Sequence, residues 1–280
     1  MAEVQLFSLG YWLVALSIGV SVIGMLVGLA CAVNGRRSKK FRPVWLVAAA
    51  AGIGGVGLWL STAISLLGIS VPGGALRYDV TLLVASLVVV VLAVFAGLLT
   101  AGREFQLPRM IGGATVIGIG GGAMVYLDLL ALDVQGTAEL TLWLIVVAGV
   151  VAVLAANLCL WLFQVFRFAL ARVGTIALFA AGVSAIYYIG VAGLKVSVDK
   201  TGALPEGQEL FGFVFPMFVI GMLALAAPIS AVLVAPDRRE FAATSERNDR
   251  KGSGDSGTPR RDTAAPVNGN GGSPMPEPAR

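Results

Sequence analysis

The sequence predicts an all-α membrane protein of seven transmembrane helices, and three observations carry that prediction. First, 57% of the 280 residues are hydrophobic and 13% are charged, with a mean hydropathy of +0.87. That is more apolar surface than a soluble domain can bury. Second, all twelve Lys and Arg before Asp237 fall between apolar runs, and Asp128 is the one acid clearly inside a run. Third, the apolar runs are each ~20 residues or more, the length that a hydrocarbon core of ~30 Å requires.

The runs are residues 7–33, 43–69, 80–99, 110–132, 140–163, 173–194 and 211–235. Helices are the expected solution, because unpaired backbone groups are costly in lipid and no run alternates like a barrel strand. In the first run Ala30-Cys31-Ala32 mimics a small-residue cleavage site. No Lys or Arg precedes that run, however, and it is too long for a signal-peptide core, so it reads as a retained anchor. Arg36, Arg37, Lys39, Lys40 and Arg42 follow it, Arg103 and Arg109 lie in the third loop, and Arg167 and Arg172 in the fifth. The other loops hold Arg77, Lys195 and Lys200, so nine basic residues face three. The positive-inside rule then puts the N-terminus outside and the C-terminal tail in the cytoplasm, in the cell's plasma (inner) membrane.

Aromatic side chains mark the interfaces: Tyr11, Trp12 and Trp143 at the outer one, Trp45 and Trp161 at the inner one. Cys31 and Cys159 read as small buried hydrophobes on the reducing side. Gly28, Gly97 and Gly221 read as packing positions, and Pro216 and Pro228 as kinks that a membrane helix tolerates. The transmembrane domain is expected over residues 5–235. Residues 236–280 hold eight basic and seven acidic residues with one aromatic, Phe241, and are expected to form a disordered cytoplasmic tail. The small net charge of +4 comes from loops and gives no reason to expect a nucleic-acid partner.

Residues 118–132 read GIGGGAMVYLDLLAL, with echoes at 57–67 (GLWLSTAISLL) and 182–194 (GVSAIYYIGVAGL). In each, a small-residue approach leads into hydroxyl or polarisable side chains. Ser61 to Met124 and Met124 to Ile186 are 63 and 62 residues apart, the signature of an internal repeat. Two helices per repeat would make the second, fourth and sixth helices parallel, with their clusters toward the outer leaflet. The Gly-rich 118–122 stretch resembles a phosphate loop by letter only. Inside a span its glycines serve close helix approach.

Trp59-Leu60-Ser61-Thr62, Met124-Val125-Tyr126-Leu127, Ile186-Tyr187-Tyr188-Ile189-Gly190 and Arg77-Tyr78-Asp79, together with the opening Trp12-Leu13-Val14-Ala15-Leu16-Ser17, resemble the MHYT-domain family. That family comprises bacterial seven-helix sensor modules with a thrice-repeated Met-His-Tyr-Thr motif. The resemblance covers about residues 5–235. It implies a non-enzymatic sensory, signalling or interaction module with a cytoplasmic or membrane signalling partner. In the family the motif Met and His residues are taken to ligate a metal, copper, and so to sense a diatomic gas. Here the Met places hold Ser61, Met124 and Ile186, the His places hold Thr62, Val125 and Tyr187, and the chain contains no His. One thioether does not make a copper site, so no metal or other cofactor is expected.

The candidate ligand-binding cluster is Ser61, Thr62, Ser65, Met124, Asp128 and Tyr187. Met124 and Asp128 are i, i+4 on one helix face, and Asp128 stands where the family pattern has Gly. If the three helices converge, a carboxyl group meets the hydroxyls of Ser61, Ser65, Thr62 and Tyr187. Such an oxygen-lined site suits a proton or hard cation, and Asp128→Leu would strand buried hydroxyls. No catalytic residues are expected: His-dependent triads are impossible, and the last helix lacks a retinal-binding Lys. The competing reading is a small transporter or channel component using Asp128.

Overall fold

The computed structural model describes residues 10–37, 42–72, 75–102, 105–166, 169–198 and 207–234. The expected tail at 236–280, residues 5–9 and the loop residues Lys39, Lys40, Arg103, Arg167 and Lys200 lie outside these described residues. Helices α1 (Trp12–Arg37), α2 (Arg42–Leu66), α3 (Val80–Ala101), α4 (Leu107–Leu130), α5 (Leu142–Val165), α6 (Ala169–Ala192) and α7 (Leu210–Val234) fall on the apolar runs, with ends shifted by a few residues. The first six are long and apolar enough to cross a membrane. Helix α7 carries Pro216 and Pro228, with its apolar stretch at Val214–Ser230. Leu92, Leu154, Phe215 and Met222 are widely exposed, a surface built for lipid rather than water. The protein is a multi-pass membrane protein.

The bundle is arranged around α2. Its apolar window is 83% buried, against 17% for α5. Small residues explain this central position: the segment Ala51–Leu60, AGIGGVGLWL, lets neighbouring backbones approach. It is also π-helical, a wider winding than the flanking turns Arg42–Ala50 and Ser61–Leu66. A Cβ on Gly24 of α1 would lie 2.3 Å from the Gly57 backbone nitrogen, inside van der Waals contact. Between α4 and α5, a Cβ on Gly118 would lie 2.4 Å from the Val153 Cα. The glycine-rich stretch of α4 is thus a packing surface, as its sequence indicates.

Four short strands join the helices at one end, an addition to the expected all-helical plan. Strand β1 (Leu76–Tyr78) pairs antiparallel with β2 (Leu132–Val134), and β3 (Gly136–Leu140) with β4 (Leu194–Val198). They belong to the connections after α2, α4 and α6, so those three helices end together. Tyr78 fastens this end: it exchanges backbone hydrogen bonds with Gln208, and its hydroxyl donates to the Leu66 carbonyl at 3.3 Å. Burial pushes its phenol up to about 12. Asp79 then caps α3, its Oδ1 accepting from the Thr81 backbone N–H at 2.8 Å.

Two smaller expectations divide. Tyr11, Trp12 and Trp143 are exposed, as interfacial anchors would be, whereas Trp45 is buried. The reason is position: Trp45 lies on the central helix, which meets protein rather than headgroups. Cys31 and Cys159 are both buried free thiols, as expected.

Candidate functional site

Asp128 is buried in the half of the bundle nearest the strands, on the last turn of α4. Two hydroxyls grip it from different helices. Ser86 Oγ of α3 donates to Oδ1 in a short hydrogen bond, and Thr62 Oγ1 of α2 donates to Oδ2 at 3.2 Å. Trp59 completes the group: its indole N–H points at both Ser86 Oγ (3.0 Å) and the Leu83 carbonyl (2.9 Å). Because the indole can only donate, Ser86 accepts from it and is left to donate onward. Trp59, Ser86 and Asp128 therefore form a directed chain across three helices.

The remaining candidates separate into two groups. Ser61 and Ser65 do not reach Asp128. Ser65 Oγ donates to Ser17 Oγ at 2.9 Å, Ser17 Oγ donates to the Ser61 carbonyl at 2.8 Å, and Ser61 Oγ back-bonds to the Gly57 carbonyl at 2.7 Å. This second hydroxyl cluster belongs to the α1–α2 contact. The physical reason is helix geometry: within the α-helical turn Ser61–Leu66, Ser61 and Ser65 are i, i+4 and share the face toward α1, while Thr62 stands about 100° round, toward α4. Met124 is buried one turn below Asp128. Tyr187 on α6 is also buried, and its hydroxyl has no hydrogen-bond partner. Tyr187 lies on α6, one residue from the Ile186 motif position, so an unspent donor stands in the same buried core as the carboxylate. Such a group costs about 1–3 kcal/mol if nothing meets it.

Residues 55–114 match the family model MHYT, "Bacterial signalling protein N terminal repeat". This stretch therefore resembles an MHYT repeat. It runs from the π-helical part of α2 through Trp59, Ser61, Thr62 and the Tyr78-Asp79 pair, along all of α3, to the first turns of α4. No curated protein and no solved structure matches the chain. The MHYT stretch contributes Trp59, Thr62 and Ser86 to the Asp128 cluster, while Asp128 itself lies beyond it.

The six positions set against the MHYT motif from the sequence, Ser61, Thr62, Met124, Val125, Ile186 and Tyr187, are all buried, and of them Ser61 and Thr62 lie within the matched stretch. Their chemistry does not fit the soft metal implied by the family. Val125 and Ile186 offer no donor atom, Ser61 and Thr62 spend their hydroxyls on carbonyls and Asp128, and one thioether remains. The arrangement is instead an acceptor surrounded by hydroxyl and indole donors.

Sequence reasoning missed Ser86, Trp59 as a donor, and Ser17. Ser86 was visible as the lone serine within the Val-rich α3, and Ser17 as the end of the opening motif, one turn from the buried Ser21. Neither stood in one of the three repeated clusters.

The hydroxyls have alternatives, which changes the expected effect of removing the carboxylate. Ser86 Oγ lies 2.8 Å from the Leu83 carbonyl, and Thr62 Oγ1 lies 2.9 Å from that of Trp59. Asp128→Leu therefore strands neither. Both Asp128→Leu and Asp128→Asn are expected to shift the melting temperature by no more than about 4 °C, equivalent to about 1 kcal/mol. Thermal unfolding in detergent measures this directly. A much larger loss would make Asp128 a structural keystone rather than a site.

Proposed function

We propose that this chain is a sensory module of the plasma (inner) membrane. In this reading the Asp128 cluster, with its unpartnered Tyr187 hydroxyl, receives a small hydrogen-bonding ligand or a proton. The observation that carries the reading is the combination of a buried carboxylate, donors from two neighbouring helices and one unspent phenol at MHYT motif depth. Buried ionisable groups in membrane spans are expensive and tend to be functional. The module does no catalysis and needs no copper. Its output passes to a cytoplasmic or membrane signalling partner.

The same reading makes α7 a seventh span, with the N-terminus outside and residues 236–280 on the cytoplasmic side. The 60 residues from 55 through 114 are close to the 62–63-residue interval between motifs, which supports three two-helix repeats. A reporter active only outside the cytoplasm, fused after Arg280, is expected to be silent. Activity there would reverse the module.

Proximity labelling from the C-terminus in the native cell tests the function. Wild type, Asp128→Asn and Tyr187→Phe should all label one signalling protein, with both variants changing the labelling several-fold at unaltered protein level. Equal labelling by all three, with solute uptake into proteoliposomes, would favour the transporter reading.

A further inference from the structure

A second feature lies at the end of the bundle opposite the strands. An apolar cavity of about 70 Å³ runs between all six long spans, from Ile186 at the motif level to Cys159, Leu160 and Phe163 near the end of α5. At 10–15 Å³ for each water-sized group, it has room for about six methylene-sized groups in a row. Directly beyond it is a pocket of about 20 Å³, lined in part by Arg36, Arg42 and Gln164. Ala32, Leu98, Leu160 and Phe163 line both spaces, so the two are contiguous. The outer pocket has room for one or two oxygen-sized atoms.

The chemistry changes where the two meet. Phe163 faces the apolar cavity and also carries the Arg36 guanidinium over its ring, 4.4 Å from the centroid. Gln164, the next residue, is buried, and its amide nitrogen has no hydrogen-bond partner. Arg42 opens α2, so that helix presents the positive end of its dipole here. A guanidinium, a second arginine, an orphaned amide donor and a helix N-terminus all favour a negatively charged oxygen. The space behind them accepts only hydrocarbon.

We propose that these two adjoining spaces together form a binding site for one anionic phospholipid from the adjacent leaflet. A phosphate oxygen sits at the Arg36–Arg42–Gln164 mouth and an acyl segment lies in the cavity. The lipid satisfies the Gln164 amide that the protein leaves unpaired. Its chain fills a void whose far wall includes Ile186, one residue from Tyr187, so the site touches the level of the Asp128 cluster without depending on any role for it.

Native mass spectrometry of the full chain in detergent tests this, titrating phosphatidylglycerol, phosphatidylcholine, oleate and inorganic phosphate separately. Phosphatidylglycerol is expected to bind roughly ten-fold more tightly than phosphatidylcholine: both carry the phosphate oxygen, but the choline cation of the second is repelled by Arg36 and Arg42. Arg36→Gln should erase most of that preference, Gln164→Leu should weaken both phospholipids by removing a donor to the shared phosphate oxygen, and Ala156→Phe, which fills the cavity, should abolish uptake of the chain. A purely structural Gln164 would move stability and binding together. Here Gln164→Leu should hold or raise the lipid-free melting temperature while weakening phosphatidylglycerol binding. Equal affinity for the two phospholipids, or undiminished binding in Gln164→Leu, would overturn the proposal. Tighter binding of oleate, or displacement of lipid by inorganic phosphate, would also overturn it by assigning the site to a fatty acid or a simple anion.

Discussion

Replacing Gly24 with alanine is expected to cost the protein at least about 3 kcal/mol, the upper range for an overpacked core, and Gly24→Leu to abolish folding. A Cβ there would lie 2.3 Å from the Gly57 nitrogen, 2.5 Å from its Cα and 2.7 Å from the Gly52 carbonyl oxygen. Every one of these atoms is backbone, so no side chain can rotate away. Relief requires α1 to move off the central helix, which would open the core along its whole length. Gly19 on the same helix has nothing within 4 Å of its Cβ position. Gly19→Ala is therefore expected to be neutral or to stabilise by up to about 1 kcal/mol through helix propensity. Thermal unfolding of the two alanine variants in one detergent separates the effects. Equal melting temperatures would mean that α1 and α2 are further apart than this packing requires.

Trp59→Ala is expected to cost about 3–5 kcal/mol, the range for deleting a large buried aromatic side chain. Trp59 is 1% exposed on the most deeply buried helix, so the surroundings cannot collapse into the void by flexing at a surface. Trp59→Phe should cost far less, about 1 kcal/mol for the indole hydrogen bond, since Ser86 can still donate to the Leu83 carbonyl. The difference between the two variants measures volume, and the Phe variant alone measures the hydrogen bond. Phe costing as much as Ala would show that the indole N–H, not the ring, holds this junction.

The spans were legible because charge exclusion is a one-dimensional property: twelve basic residues delimit the runs without reference to tertiary contacts. Which span lies at the centre was not read from the sequence, which drew attention to residues 118–132 on α4. In membranes the outside is as apolar as the inside, so hydropathy tracks lipid exposure rather than burial. Helix α3, at a mean hydropathy of 3.1, is 33% buried, while the Gly- and Ala-rich α2, at 1.8, is 83% buried. The pairing of Asp128 with Thr62 was legible from helix periodicity and repeat spacing. The further expected meeting of Asp128 with Ser61 and Ser65 placed on one face residues that an α-helix separates by about 100°, and Ser61 and Ser65 turn toward Ser17 instead. Ser86 escaped because it lies outside the repeated motifs, where only packing decides its partner. Strand β4, Leu-Lys-Val-Ser-Val, did carry an alternating signal, but one too short to stand out beside six long apolar helices.

A bundle with an MHYT-like stretch at residues 55–114 here carries a carboxylate–hydroxyl cluster in place of a soft-metal site. Incubating the purified full chain with Cu(I), desalting it and measuring bound copper tests this most directly, with Met124→Leu as the comparison. The account predicts far less than one copper per chain, unchanged by Met124→Leu. Stoichiometric copper in the wild type that is lost in Met124→Leu would contradict it, because the thioether beneath Asp128 would then be a metal ligand.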